Sequence, residues 1–271
     1  IKKIIRSSIS DLICKGVLPK YYFVSGSGNK KTFSKKNLSQ ISTSLKQEQK
    51  KYGIFLCGGD TTFSNQLSFS ITSVGYSKNI VYRNKAKLHD DIYVTGNLGD
   101  SFVGLKILKN KIKIDKKLRR YFVKKYFEPE IQIKLTKVLF KFANSSIDIS
   151  DGLISDLEKL INKQNLSYRL NLNSIPISKN LNKLLIKKKL DKISFISQGD
   201  DYQILFRNNA KLDDDIYVTG TLGDSFAGLK ILKKKINTNN SLNRYFVNKY
   251  YLPNLHLKLS NKLLSFANPS I

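Results

Sequence analysis

Apolar and polar residues follow two different periods along this chain. Gln66–Tyr76 alternates residue by residue, with Leu67, Phe69 and Ile71 on one side, and predicts a half-buried strand. Lys51–Leu56 predicts a short strand running into a turn at Cys57-Gly58-Gly59-Asp60-Thr61-Thr62. Asp91–Thr95, Ser146–Ile149 and Tyr202–Phe206 predict further strands; Tyr168–Leu172 alternates too, and Ile193–Ile196 is a short apolar run. Spacings of three and four predict helices over Leu118–Phe127, stopping before Pro129, and over Ile131–Phe142 and Leu153–Ile161. Gly99-Asp100-Ser101 predicts a helix start ahead of Phe102–Leu108. The stretch Gly26–Lys31 predicts a surface loop. Strands interleaved with helices place the chain in the α/β or α+β class.

A repeat is superimposed on this pattern. Arg83–Ile147 and Arg207–Ile271 align without gaps, and Asp90-Asp91-Ile92-Tyr93-Val94-Thr95-Gly96 recurs as Asp214-Asp215-Ile216-Tyr217-Val218-Thr219-Gly220. Roughly three positions in five are identical, and two copies are too few for a solenoid, so one segment is read as duplicated. The expected organisation is a first domain over 1–82, a second over 83–206, and an appended copy over 207–271.

The chain has 271 residues, room for one large domain or two ordinary ones. Apolar residues at 41% and charged residues at 25% exclude wholesale disorder. No apolar run approaches the length of a membrane helix, and two cysteines, Cys14 and Cys57, make no disulfide framework; the expected setting is the cytoplasm. A net charge of +28 raises a nucleic-acid reading. The lysines are spread over every polar face without interleaved aromatics, which argues against that reading and for a solvated surface. Methionine is absent, including at position 1, and the start is read as missing.

Chemistry has few candidates. His89 and His256 sit beside no nucleophile, and two Cys with two His lack zinc-ligand spacing. Carboxylates at turns remain: Asp11 after Ser10, Asp60 after a Gly pair, Asp148 and Asp151 around Ser150, and Asp200 with Asp201. Oxygen-only clusters suit Mg²⁺, which takes carboxylates, water and substrate phosphates. Glycines beside them admit phosphate to the backbone. Taken singly, each motif is equally a connecting turn or a helix cap. Taken together they point to phosphoryl transfer, with Asp60, Asp148 and Asp151 brought together by strand ends of one sheet.

Five motifs in order resemble the thiamine-monophosphate kinase family over about residues 7–210. They are Ser10-Asp11-Leu12 with Gly16 and Pro19; Tyr52-Gly53-Ile54-Phe55-Leu56-Cys57-Gly58-Gly59-Asp60-Thr61-Thr62; Ile92-Tyr93-Val94-Thr95-Gly96 through Gly104-Leu105; Ile147-Asp148-Ile149-Ser150-Asp151-Gly152-Leu153; and Gly199-Asp200-Asp201-Tyr202-Gln203-Ile204-Leu205-Phe206. The resemblance implies a two-domain aminoimidazole-ribonucleotide-synthetase-like (PurM-like) α/β fold, a homodimer formed through the first domain, and phosphorylation of thiamine monophosphate to thiamine diphosphate with ATP and Mg²⁺. It places Mg²⁺ ligands at Asp11, Asp60, Asp148 and Asp151, ATP contacts at Gly59, Arg83 and Ser150, and the substrate contact at Asp200; it implies no separate catalytic base.

The chain departs from the family in places. Ser8 stands where the family has Asn, Asp200 stands where it has Glu, the family's acidic opening segment does not precede Ile1, and the earlier motif restarts after Phe206. These departures lead us to expect a chain incomplete at both ends, with little turnover of its own. The alternatives are a non-catalytic remnant retaining nucleotide binding or dimerisation and, on charge alone, a basic nucleic-acid-binding protein.

Overall fold

Helix α1 (Lys2–Ile13) places Ile5, Ile9 and Ile13 four residues apart on one stripe, and all three are fully buried. In this computed structural model, which describes residues 1–208, 230–233, 236 and 239–251, that stripe packs on a three-stranded sheet of order β2-β1-β3. Strand β1 (Leu18–Gly28) leads through α2 (Lys35–Tyr52) to β2 (Phe55–Phe63), which is parallel to β1 because a helical crossover returns the chain to the same end. The Ser34 hydroxyl accepts the Asn37 N–H at the start of α2, and Gly53, at φ +64°, ends it. Strand β3 (Ser68–Tyr76) completes the sheet antiparallel to β1. Every residue of β2 is exposed.

The expected turn at Cys57–Thr62 is therefore the middle of β2. Gly59 serves strand pairing: a Cβ there would lie 1.7 Å from the Val24 carbonyl oxygen. Likewise, Gly26–Gly28 end β1, and only the Asn29–Thr32 stretch turns, with the Asn29 side chain accepting the Lys31 and Thr32 N–H groups.

A second sheet has order β4-β6-β5, all antiparallel, from β4 (Asp91–Val94), β5 (Ala143–Asp148) and β6 (Ile204–Asn208). Between them run α3 (Asp100–Leu108), α4 (Lys116–Phe127), α5 (Leu153–Ile161), α6 (Lys179–Lys188) and the single turn α7 (Ile193–Ile196). The helix expected over Ile131–Phe142 is two 3₁₀ segments, Ile133–Lys137 and Leu139–Lys141. Burial of Thr136 and Leu139 three residues apart fits that tighter period. Tyr168–Leu172 forms no strand; Tyr168 and Leu170 lean on the core as an extended segment without a ladder partner.

Leu153, Leu157 and Leu160 of α5 pack with Leu98, Ile147, Ile149 and Leu205, each fully buried leucine contributing about 2 kcal/mol. The core under α1 joins Tyr22, Tyr52 and Ile54 to Leu139 and Ile204, so one apolar cluster draws on residues flanking both sheets. The chain falls into two compact units, Ile1–Asn209 and Ala210–Ile271. Of the second, the described residues form a helix over Asn240–Tyr251; most of the repeat at 207–271 lies outside the described residues. Among those described, no helix is long and apolar enough to cross a membrane.

Candidate active site

The end of α1 and the end of β5 meet. Ser10 donates its hydroxyl to Asp148 Oδ2, Cys14 Sγ lies 4.0 Å from Asp148 Oδ1, and Ser146 donates its hydroxyl to the Cys14 carbonyl. Asp148 is buried, and burial pushes its carboxyl up to about 6; the Ser10 hydrogen bond pulls it down, while the negative charge of Asp11 pushes it up further. The Cys14 thiol is pushed up in turn, by burial first and then by Asp148 and Asp11. Asp11 is exposed at the rim of this cluster. Among the described residues, no Lys or Arg forms an ion pair with Asp148.

Beyond β5 the chain makes a tight turn into α5. Asp156, fully buried, accepts the Asp151 N–H at 2.8 Å and the Gly152 N–H at 3.1 Å, closing the turn onto the helix start. Asp151 itself is exposed and paired with Lys159, which also reaches Asp156 at 2.8 Å. The loop before β6 lies against this turn. The Asp200 N–H donates to the Ser150 carbonyl at 3.0 Å. Glycine is required on both sides: a Cβ on Gly199 would fall 1.9 Å from the Ser150 oxygen, and one on Gly152 2.2 Å from the Ser197 oxygen. Asp200, at φ +73°, accepts the Tyr202 hydroxyl at 3.1 Å and pairs with Lys3 of α1 at 2.9 Å.

The fold thus brings together Asp11 with Asp148, and Ser150 with Asp200. Gly59 and Asp60 lie on exposed β2 of the first sheet, where the Asp60 carboxylate accepts the Thr61 N–H, and Arg83 lies in the exposed turn after β3. Asp60 and Asp148 accordingly belong to different sheets rather than to strand ends of one, because β2 pairs with β1 and β5 with β6. Among the described residues, no three His, Cys, Asp or Glu side chains form a group that could hold a metal ion. The Asp11–Asp148 pair still suits magnesium, which takes one or two carboxylates and completes its shell with water and phosphate oxygens.

Sequence reasoning overlooked Lys3, whose partner lies far along the chain, and the bridging hydroxyl of Ser10. It left Asp201 as a turn residue. The structure buries Asp201 beneath the start of α3, where it accepts the Gly99 N–H at 2.7 Å, and burial pushes its carboxyl up to about 7. The adjacent Asp100 is also raised by burial, against hydrogen bonds from Ser178 and Tyr121. The signal available was position: an acidic pair directly before a strand and level with a Gly-x-x-Gly helix start.

Known proteins share this fold. Residues 2–77 match the family model for AIR synthase related protein, N-terminal domain. The thiamine-monophosphate kinase of Buchnera aphidicola subsp. Acyrthosiphon pisum is 34% identical over 243 residues, 88% of this chain and 69% of the relative. That of Leptospira interrogans is 32% identical over 178 residues, 65% of this chain and 58% of the relative, so the chain spans only part of the length of the relatives it matches. Among solved structures, AaThiL complexed with AMPPCP and TMP superposes with a TM-score of 0.71 at 27% identity, covering 77% of this chain and 69% of that one. The fold is the aminoimidazole-ribonucleotide-synthetase-like α/β fold, and the chain belongs to the thiamine-monophosphate kinase family, whose members phosphorylate thiamine monophosphate with ATP.

Proposed function

We propose that the site of this chain is built for the family reaction, run at the low rate that its departures from the family lead us to expect: an oxygen of the thiamine monophosphate phosphate attacks the γ-phosphorus of ATP, the bond to the β-phosphate oxygen breaks, and thiamine diphosphate and ADP leave. The observation that carries the proposal is Asp148, a buried carboxylate with a second carboxylate beside it and no cationic partner among the described residues. A divalent ion relieves that arrangement. Asp148 and Asp11 would hold magnesium, and the ion would neutralise charge on the transferring phosphoryl group; Asp60, on the other sheet, and Asp151, paired with Lys159, stand apart from this pair.

The protein's own part is positioning. Ser10 orients Asp148, and Asp156 fixes the turn that presents Ser150 and Asp151. Gly59, Arg83 and Ser150 are the proposed ATP contacts, and Asp200 the proposed substrate contact. Residues 1–82 and 83–206 form the two lobes of a cytoplasmic enzyme. The exposed β2, an edge strand with Phe55 59% and Phe63 81% exposed, supports a homodimer in which a second copy covers this strand.

The test is turnover of thiamine monophosphate with ATP at varied magnesium. Asp148→Asn should lower the rate by roughly 10²–10³-fold, and turnover indifferent to both magnesium and Asp148 would overturn the assignment.

A further inference from the structure

Three basic side chains of α1 are paired with carboxylates from three parts of the chain. Lys2 meets Glu128 and Arg6 meets Glu48, both away from the candidate site. Lys3 alone reaches a site residue, with its Nζ 2.9 Å from Asp200 Oδ1. The same ammonium lies 3.4 Å from the ring centroid of Tyr126, on α4. An aromatic face and a carboxylate therefore hold it at once, and both Lys3 and Asp200 are only partly exposed.

Asp200 is itself held in an uncommon state. Its backbone is left-handed, a conformation uncommon outside glycine and most open to asparagine and aspartate. The Ser150 carbonyl fixes its N–H, the Tyr202 hydroxyl meets its carboxylate, and Lys3 supplies the one full opposite charge among the described residues. Without Lys3 the carboxylate keeps a neutral donor and a left-handed backbone, which leaves its direction poorly determined.

We propose that Lys3 is a positioning residue for thiamine monophosphate: by pairing with Asp200 it holds that carboxylate toward the substrate, whose thiazolium ring carries a positive charge. This rests on the reading of Asp200 as the substrate contact. It assigns Lys3 an effect on one ligand only, because Lys3 touches none of the residues proposed to meet ATP.

The experiment is calorimetric titration of the full chain with thiamine monophosphate and, separately, with AMPPCP, both in magnesium. Lys3→Ala should weaken thiamine monophosphate binding by about five- to tenfold and leave AMPPCP within about twofold. Lys3→Arg should restore binding, and Lys3→Ala combined with Asp200→Asn should bind no more weakly than Asp200→Asn alone. Lys3→Met, which keeps the aliphatic stem over Tyr126, carries the comparison if Lys3→Ala fails to fold. Weakened binding in Asp200→Asn with unchanged binding in the Lys3 variants overturns the role of Lys3 while sparing that of Asp200. Unchanged binding in Asp200→Asn, or no binding of thiamine monophosphate by the unaltered chain, overturns the substrate reading and this inference with it. Equal loss of both ligands reduces Lys3 to a structural tie.

Discussion

Replacing Asp201 with Asn should change how the stability of this protein depends on pH. The folded carboxyl is pushed up to about 7 by burial, against an ordinary value of 3.8. Below pH 3.8 both folded and unfolded chains hold the proton, and the contribution of this group to stability is fully present. Between about pH 4 and 7 the unfolded chain gives up its proton while the folded chain keeps it. Each pH unit in that window removes about 1.4 kcal/mol, so the wild type loses about 4 kcal/mol from this group by pH 7. Asn keeps an oxygen for the Gly99 N–H and does not titrate, so Asp201→Asn should lose none of it. Urea unfolding of both proteins at pH 5, 6, 7 and 8 gives the difference directly, and other titrating groups such as Asp148 cancel from it. The variant should gain on the wild type as pH rises and level off above about 7. A difference that stays flat from pH 5 to 8 would mean that the buried carboxylate is already charged at pH 5, which refutes the reasoning.

The buried pair of Arg6 and Glu48, bonded twice at 2.7 Å, should lose about 3–5 kcal/mol when Glu48→Leu strands the guanidinium, and Arg6→Met added to it should recover most of that in the same urea assay. Gly152→Ala and Gly199→Ala should each destabilise by more than about 2 kcal/mol, since each Cβ would overlap a carbonyl oxygen; a melting temperature within a degree of wild type would contradict the close approach. The unaltered chain should run as a dimer by light scattering and Phe55→Lys with Phe63→Lys as a folded monomer; a monomeric unaltered chain, or a dimer that survives both changes, would contradict an interface at β2.

What the sequence made legible follows from how local each signal is. Helix α5 matches its expected bounds because Leu153, Leu157 and Leu160 form an unbroken stripe and Gly152 precedes it. Asp148, Ser150 and Asp200 stood out because each lies in a short ordered motif beside glycine. Strand β2 was hidden because Gly59 relieves contact with β1, a cause invisible along a single strand. Helix α1 escaped notice because Arg6 and Ser10 interrupt its apolar stripe, and both are satisfied by partners 42 and 138 residues away. The candidate site divides in the same way. Its members were legible one at a time, while the helix that joins Asp11 to Asp148 and Lys3 to Asp200 could be seen only once the chain was folded.

That helix also sets a timetable for synthesis. The α1 contacts that matter to the site close loops of 138 residues, from Ser10 to Asp148, and longer still from Lys3 to Asp200. At roughly 5–20 residues per second of elongation, β5 follows Ser10 by about 7–30 s. Early in that interval β1, α2 and β3 emerge to pack on α1, and Glu48 to pair with Arg6, while Asp148 and Asp200 do not yet exist. Helix formation takes microseconds or less, so waiting for chain, and not folding itself, is the slow step. The first sheet can shelter the isoleucine stripe early, whereas the side of α1 that carries Lys3 and Ser10 must wait for β5 and the loop before β6, and a holding chaperone that binds that side should lengthen the useful life of the growing polypeptide without changing the stability of the finished one.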